Sequence, residues 1–363
     1  MKKRLFSLVM VLSLSAALLA GCGSNGQTAE KAQTTASMET VSDATKAASE
    51  AAESTSQEYA VPTKDRSGNT ITIPAQVNSI ISMAPATTQL LIDLGLADKI
   101  IACDSNSASD YAASLKKDIP QFDMMAPDQE KIVTLKPDLV FTSGMSASGG
   151  TDVFASVREA GICIADIPSS SSIAEIEEDI RFTGNCVGNG AAAADIAAQM
   201  QKSVDELKKI GAGIADSDRK KVLYEMSTPS SDAPTIYSCG KDTYIDEMIT
   251  TIGAVNAAEG QDGQWPAITE EAAVGMNPDV ILTTDNYTPD VINTLLGLSG
   301  WENVTAVKQK AVYLLDANTM SQPNQHIVSA MIAMAKDIYP EQFAEVADPY
   351  AATGASTTAV SGK

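Results

Sequence analysis

The chain has 363 residues, with 46 acidic and 25 basic side chains, a formal net charge of −21 and a single histidine. So acidic a surface argues against nucleic acid as a partner, because binding phosphates takes Lys and Arg. One histidine, with no Cys-x-x-Cys pair, leaves no ligand set for a structural zinc ion, so neither a metal nor a cofactor is expected.

Lys2, Lys3 and Arg4 precede an apolar run from Leu5 to Ala20. That run suits a signal peptide and is too short for a spanning helix of about 20 residues. It ends in Leu19-Ala20-Gly21-Cys22, which resembles the bacterial lipobox. Residues 1–21 are therefore expected to be removed, and Cys22 to carry lipid on the extracytoplasmic face of the cell membrane. Residues 22–58 are mostly Ala, Ser, Thr, Gln and Glu, a composition that cannot bury enough surface to order itself, and are expected to form a tether. A flexible tail is expected over 343–363. The intervening length suits an N-terminal lobe at 59–189, a connecting helix at 190–211 and a C-terminal lobe at 212–342.

In chain order, strands are predicted at 79–83, 100–104, 138–142, 162–167, 221–226, 279–284 and 312–316. Helices are predicted between them at 87–95, 152–160, 244–253 and 325–339. Such alternation reads as α/β architecture with mainly parallel sheets covered by helices. Two segments repeat each other without a gap. Glu130 to Thr142 aligns on Glu271 to Thr283, each a short helix stopped by Pro-Asp and followed by an apolar strand. Between the repeats, Ile196, Met200, Val204, Leu207 and Ile210 fall on one face of an Ala-rich helical run, long enough to act as a rigid strut.

With these features in place, several phrases carry a family likeness. They are Ile80-Ile-Ser-Met-Ala-Pro85, Leu135-Lys-Pro-Asp-Leu-Val, Gly263-Gln-Trp-Pro266, Asn277-Pro-Asp-Val-Ile, Gly300-Trp-Glu-Asn-Val and Ala311-Val-Tyr-Leu-Leu-Asp316. In order and spacing, over about residues 59–342, the chain resembles the substrate-binding proteins of iron-complex and cobalamin ABC importers. The resemblance implies two Rossmann-like lobes joined by a single long α-helix, a ligand held in the cleft between them, and small closure movements. It further implies a monomer that delivers its ligand to a permease with its ATPase. One Glu per lobe, Glu130 and Glu271, would dock on the permease, with Glu270 an alternative to Glu271. Either residue alone is also explained as an acid favourably placed in the first turn of a helix.

The cleft lining is expected from loops after strands. The candidates are Met83, Pro85, Thr87, Asn106, Ser143 and Met145 in the first lobe, and Cys239, Trp265, Asn286 and Tyr287 in the second. Trp265 beside Pro266 could stack on a planar ligand, or could be buried against its own lobe. Met125 sits in a setting similar to one that supplies an axial Met in haem-binding relatives. However, the matching C-lobe position holds Asn286 and Tyr287 instead of His, so a haem-binding member with Met/Tyr ligation is a second reading. His326 stands in a stretch where many relatives carry arginine. Only Arg66, Arg158, Arg181 and Arg219 follow the signal. That scarcity favours a neutral or weakly charged ligand, a corrinoid or a ferric siderophore of hydroxamate type, over haem or a catecholate complex. An enzyme on two Rossmann-like lobes, such as a glycosyltransferase, lacks its marks: no strand is followed by G-x-G-x-x-G, and there is no G-x-S-x-G.

Overall fold

The computed structural model describes residues 59–144, 152–230 and 232–351. The signal, Cys22, the tether to residue 58 and Met145 lie outside the described residues. No described helix is long and apolar enough to cross a membrane.

The first half is built on β1 (Ile80–Ser82), α1 (Pro85–Asp93), β2 (Ile100–Asp104), α2 (Ser105–Asp110), β3 (Gln121–Phe122), α3 (Gln129–Leu135), β4 (Leu139–Ser143), α4 (Ala155–Glu159), β5 (Cys163–Ile167) and α5 (Ile173–Cys186). Its strands form one parallel sheet in the order β3-β2-β1-β4-β5. Parallel strands buried on both faces read as continuous apolar runs, as in Leu-Val-Phe of β4, all fully buried.

The long helix α6 (Gly190–Gly211) follows. It buries Ala193, Ala197, Met200, Val204 and Leu207 along one stripe, at the spacing of a helix face. Its contact with α5 is close: a Cβ on Gly184 would lie 2.1 Å from the Ala193 Cβ.

The second half continues with β6 (Lys221–Glu225), β7 (Thr235–Tyr237), α7 (Tyr244–Thr251), β8 (Val255–Asn256), β9 (Ala267–Thr269), α8 (Glu270–Met276), β10 (Val280–Thr283), α9 (Val291–Leu296), α10 (Thr305–Gln309), β11 (Val312–Leu314), α11 (Ala317–Ser321) and α12 (Ile327–Ile338). A parallel sheet runs β11-β10-β6-β8, and β7 and β9 form a separate antiparallel pair. The seven strands read from the sequence are all present. The two- and three-residue strands β3, β7, β8 and β9 were not read, being too short to show a period.

The sequence repeat is a structural one. In the first half Asp128 caps α3 through the Lys131 amide, Lys136 closes the helix in the left-handed region at φ 49°, and Pro137-Asp138 turns into β4. The Asp138 carboxylate then accepts the Asn78 and Ser79 amides at 2.8 and 2.9 Å, at the entrance to β1. In the second half Thr269 caps α8, Asn277 closes it at φ 45°, and Asp279 accepts the Lys221 amide at 2.9 Å at the entrance to β6. Each Pro-Asp thus stops a helix and ties the start of one central strand to the start of its neighbour.

One boundary moves. The tail expected from residue 343 is packed for several residues more, because Phe343 and Val346 are buried in the main core and Tyr350 stacks near His326 at 5.2 Å.

Candidate functional site

A cavity of about 600 Å³ opens between the two halves. Of the residues named from sequence, Pro85, Thr87, Asn106 and Ser143 line it from the first half, and Asn286 and Tyr287 from the second.

Buried polar networks fix these loops. Beneath Pro85 and Asn106, the Thr88 hydroxyl lies 2.8 Å from that of Ser82 and 2.9 Å from that of Ser107. The Ser107 hydroxyl also reaches Asp104, which caps α2 by accepting the Ser107 amide at 2.9 Å. Burial pushes the Asp104 carboxyl upward against these hydrogen bonds. The relay joins the turn after β1 to α2, so Pro85, Thr87 and Asn106 hold fixed relative positions. In the second half Asp285 gathers the Thr228, Tyr287 and Thr288 amides at 3.0, 2.9 and 3.1 Å and the Thr288 hydroxyl at 2.6 Å. Burial alone would raise its pKa, but these donors outweigh it and hold the carboxyl far below the usual range. This knot presents Asn286 and the almost wholly exposed Tyr287 at the rim.

Three expectations are corrected. Met83 is fully buried with Ile81, Phe122 and Ile132, since its amide still bonds Phe141 at 2.9 Å and the period-2 alternation of β1 turns it onto the sheet face away from the cavity. Cys239 is fully buried, with Asn256 Nδ2 donating to its carbonyl at 3.0 Å. Trp265 is 46 % exposed yet is not a lining residue, because its segment is tied to the end of β7 by Ser238 N to the Pro266 carbonyl at 3.1 Å and Gly240 N to the Gln264 carbonyl at 2.7 Å. Similarly, Met124 and not Met125 reaches the cavity wall.

The sequence reading missed contributions from helix faces. Asp179, Ile180 and Thr183 of α5 line the cavity, as do Asp110 at the end of α2 and the stretch Ser321–Asn324, which begins at the last residue of α11. Pro323 and Asn324 between two helical runs were a legible turn signal. Asp179 gave none, because Arg66, which reaches it at 2.5 Å, is 113 residues away in sequence. The Ser170 hydroxyl donates to its other oxygen at 2.6 Å.

The halves are also joined across the cavity floor. The Tyr111 hydroxyl donates to Gln322 Oε1, and Gln322 Nε2 donates to Asp110 at 3.3 Å. Asp93, which ends α1, accepts Gln325 Nε2 and pairs with His326 Nε2 at 2.7 Å. His326 is thereby a brace between halves. No group of three or more His, Cys, Asp or Glu able to hold a metal occurs among the described residues.

Glu130 and Glu271 are exposed at the second positions of α3 and α8. Glu270 is engaged instead, accepting the buried Trp301 Nε1 at 3.2 Å.

A sequence profile described as periplasmic binding protein matches residues 80–319. The chain is 30 % identical over 345 residues to an ABC transporter substrate-binding lipoprotein, YvrC, of Bacillus subtilis, covering 95 % of this chain and all of that one. It is 25 % identical over 284 residues to a cobalamin-binding protein of Halobacterium salinarum, covering 76 % of this chain and 73 % of that one. The fold superposes on the molybdate-binding protein MolA of Haemophilus influenzae with a TM-score of 0.68 at 20 % identity, covering 79 % of this chain and 93 % of the other. With both halves, the cavity between them and these matches together, the chain belongs to the periplasmic binding protein family, as the substrate-binding component of an ABC importer and not as an enzyme.

Proposed function

We propose that the chain captures a bulky, neutral metal complex, a corrinoid in the first place and a ferric hydroxamate in the second, and hands it to an import permease. The observation that carries this reading is the charge of the cavity wall. Asp110 and Asp179 line it, and among the described residues no Lys, Arg or His does. An anionic ligand would enter an already anionic site on a chain of net charge −21 without a cationic partner. That disfavours haem, with its propionates, and a small oxyanion such as the one named for MolA, which would also leave most of about 600 Å³ unfilled. Met124, Met226 and Tyr287 offer apolar, polarisable surface at opposing rims, suited to the face of a large ring. The cobalamin-binding relative supports the same choice.

Cys22 anchors the chain by lipid after removal of residues 1–21, with 22–58 as tether, a reading supported by the lipoprotein relative that aligns with nearly the whole chain. Glu130 and Glu271 dock on the permease from equivalent places in the two halves. Their support is the shared build of α3 and α8, each capped, each with an exposed Glu at its second position. Titration calorimetry of the purified chain with cyanocobalamin, ferrichrome, haemin and molybdate tests the ligand. Saturable binding of cyanocobalamin or ferrichrome is expected, and tight binding of haemin or molybdate alone would overturn the reading.

A further inference from the structure

The two carboxylates in the cavity wall are not equivalent. Asp179 is buried and fully engaged: Arg66 Nε reaches one oxygen at 2.5 Å and the Ser170 hydroxyl the other at 2.6 Å. Arg66 spans Asp179 and, at 2.8 Å, Glu178, and does not itself line the cavity. Asp179 thus shares the Arg66 cation with Glu178 and has both oxygens engaged from behind.

Asp110 is different. It is exposed, forms no ion pair among the described residues, and receives only the Gln322 amide at 3.3 Å. It closes α2, where the carbonyl end of the helix disfavours a carboxylate, so local stability gives no reason for an acid there. Gln322 belongs to the other half and is itself oriented by the Tyr111 hydroxyl. A ligand seated against both halves at the floor therefore meets an acceptor-only group beside an oriented amide.

We propose that Asp110 is the charge filter of the cavity: it favours ligands that turn N–H donors, amide or ammonium, toward the floor and rejects those that turn a carboxylate there. This rests on the neutral-complex reading given above and refines it, because a corrinoid carries a periphery of primary amides whereas ferrichrome does not. The expected size follows from Coulomb's law. A like charge roughly 6 Å away at an effective dielectric of about 40 weakens binding about tenfold.

The test compares cyanocobalamin with its monocarboxylates, in which a single peripheral amide is hydrolysed, by calorimetry on the purified chain and on Asp110→Asn. The native chain is expected to bind the neutral corrinoid about tenfold more tightly than at least one monocarboxylate. Asp110→Asn collapses that ratio to within about twofold, whatever happens to the affinity for cyanocobalamin itself. Equal affinity of the native chain for all of them, or a ratio that persists in Asp110→Asn, overturns the filter while leaving the ligand reading intact. If no corrinoid binds but ferric hydroxamates do, the corrinoid choice fails, and the filter is judged on neutral ferrichrome against ferrioxamine B with its pendent ammonium. The preference for the cation must then fall about tenfold in Asp110→Asn, and a preference left unchanged refutes it. If neither class binds, both readings are rejected.

Discussion

Glu225 ends β6 with 1 % exposure, and neither carboxylate oxygen has a hydrogen-bond partner of good geometry among the described residues. Burial raises its pKa from 4.5 to about 7, with Asp285 adding repulsion and the nearby Thr283 hydroxyl and Ser227 amide offsetting part of the rise. Below pH 4.5 the group is protonated in both the folded and unfolded chain and has no effect. From there to about pH 7 the unfolded chain ionises while the folded one keeps its proton, so stability falls as pH rises. At 1.36 kcal/mol per unit, the loss levels off above pH 7 at up to about 3 kcal/mol. Glu225→Gln keeps the shape and removes the ionisation. Urea denaturation of both proteins from pH 4.5 to 8.5 should show the variant gaining on the native chain with rising pH, by up to about 3 kcal/mol at pH 8. Any penalty from the buried amide is constant with pH and only offsets the curve. A stability difference that does not change with pH would refute the reasoning, since it would mean that Glu225 is ionised or solvated in the folded chain as freely as in the unfolded one.

Gly184→Ala places a methyl 2.1 Å from the Ala193 Cβ where α5 crosses α6, and should cost about 1–3 kcal/mol through overpacking, read as a lowered melting temperature. Arg66→Met leaves the Asp179 carboxylate, whose side chain is only 11 % exposed, without its cation. A loss of about 2 kcal/mol is expected in urea titrations, reduced from the value for a fully buried pair because Arg66 is itself 25 % exposed. Charge reversal at both Glu130 and Glu271 should abolish uptake by proteoliposomes holding the cognate permease while calorimetric ligand affinity stays within about twofold. Undiminished uptake would show that docking uses other residues.

What was legible in the sequence was local. Pro137-Asp138 and Pro278-Asp279 each declare a helix stop and a strand start, and the strands behind them carry unbroken apolar runs, so the two central strands and the repeat could be read directly. The spacing of Ile196, Met200, Val204, Leu207 and Ile210 announced α6 by its period, although the buried stripe also takes in Ala193 and Ala197 and leaves Ile196 and Ile210 only partly buried. The site was legible only where a loop follows a strand, which gave Pro85, Asn106, Ser143 and Asn286. Met83 misled because a strand that continues pairing for one more residue still obeys alternation. Trp265 misled because an aromatic beside proline says nothing of the turn at Gly263, φ 86°, that ties the loop back onto β7. Asp179 and its Arg66, like Tyr111 and its Gln322, are brought together by tertiary folding across more than a hundred residues, and no spacing rule reaches that far.

The same contacts bear on how the cavity can change shape. A rigid connector restrains the cleft only if both of its ends are locked, and α6 meets that condition. At its start, Gly184 and Ala193 let α5 and α6 touch almost backbone to backbone. At its finish, a Cβ on Gly211 would lie 2.4 Å from the Thr251 carbonyl, which fastens α6 to the end of α7. Between halves, the floor adds Asp93 with Gln325 and His326, and Tyr111 with Gln322. These floor bonds are polar and only partly buried, each contributing about 1 kcal/mol or less, so they can exchange partners with a ligand, whereas opening the close-packed approaches at the two ends of α6 would give up buried contacts with nothing to replace them. Small movements therefore belong to the floor and not to the connector. On the reading proposed above, selection of a ligand then falls on the fixed chemistry of the wall, where one acid is engaged from behind and the other is left open.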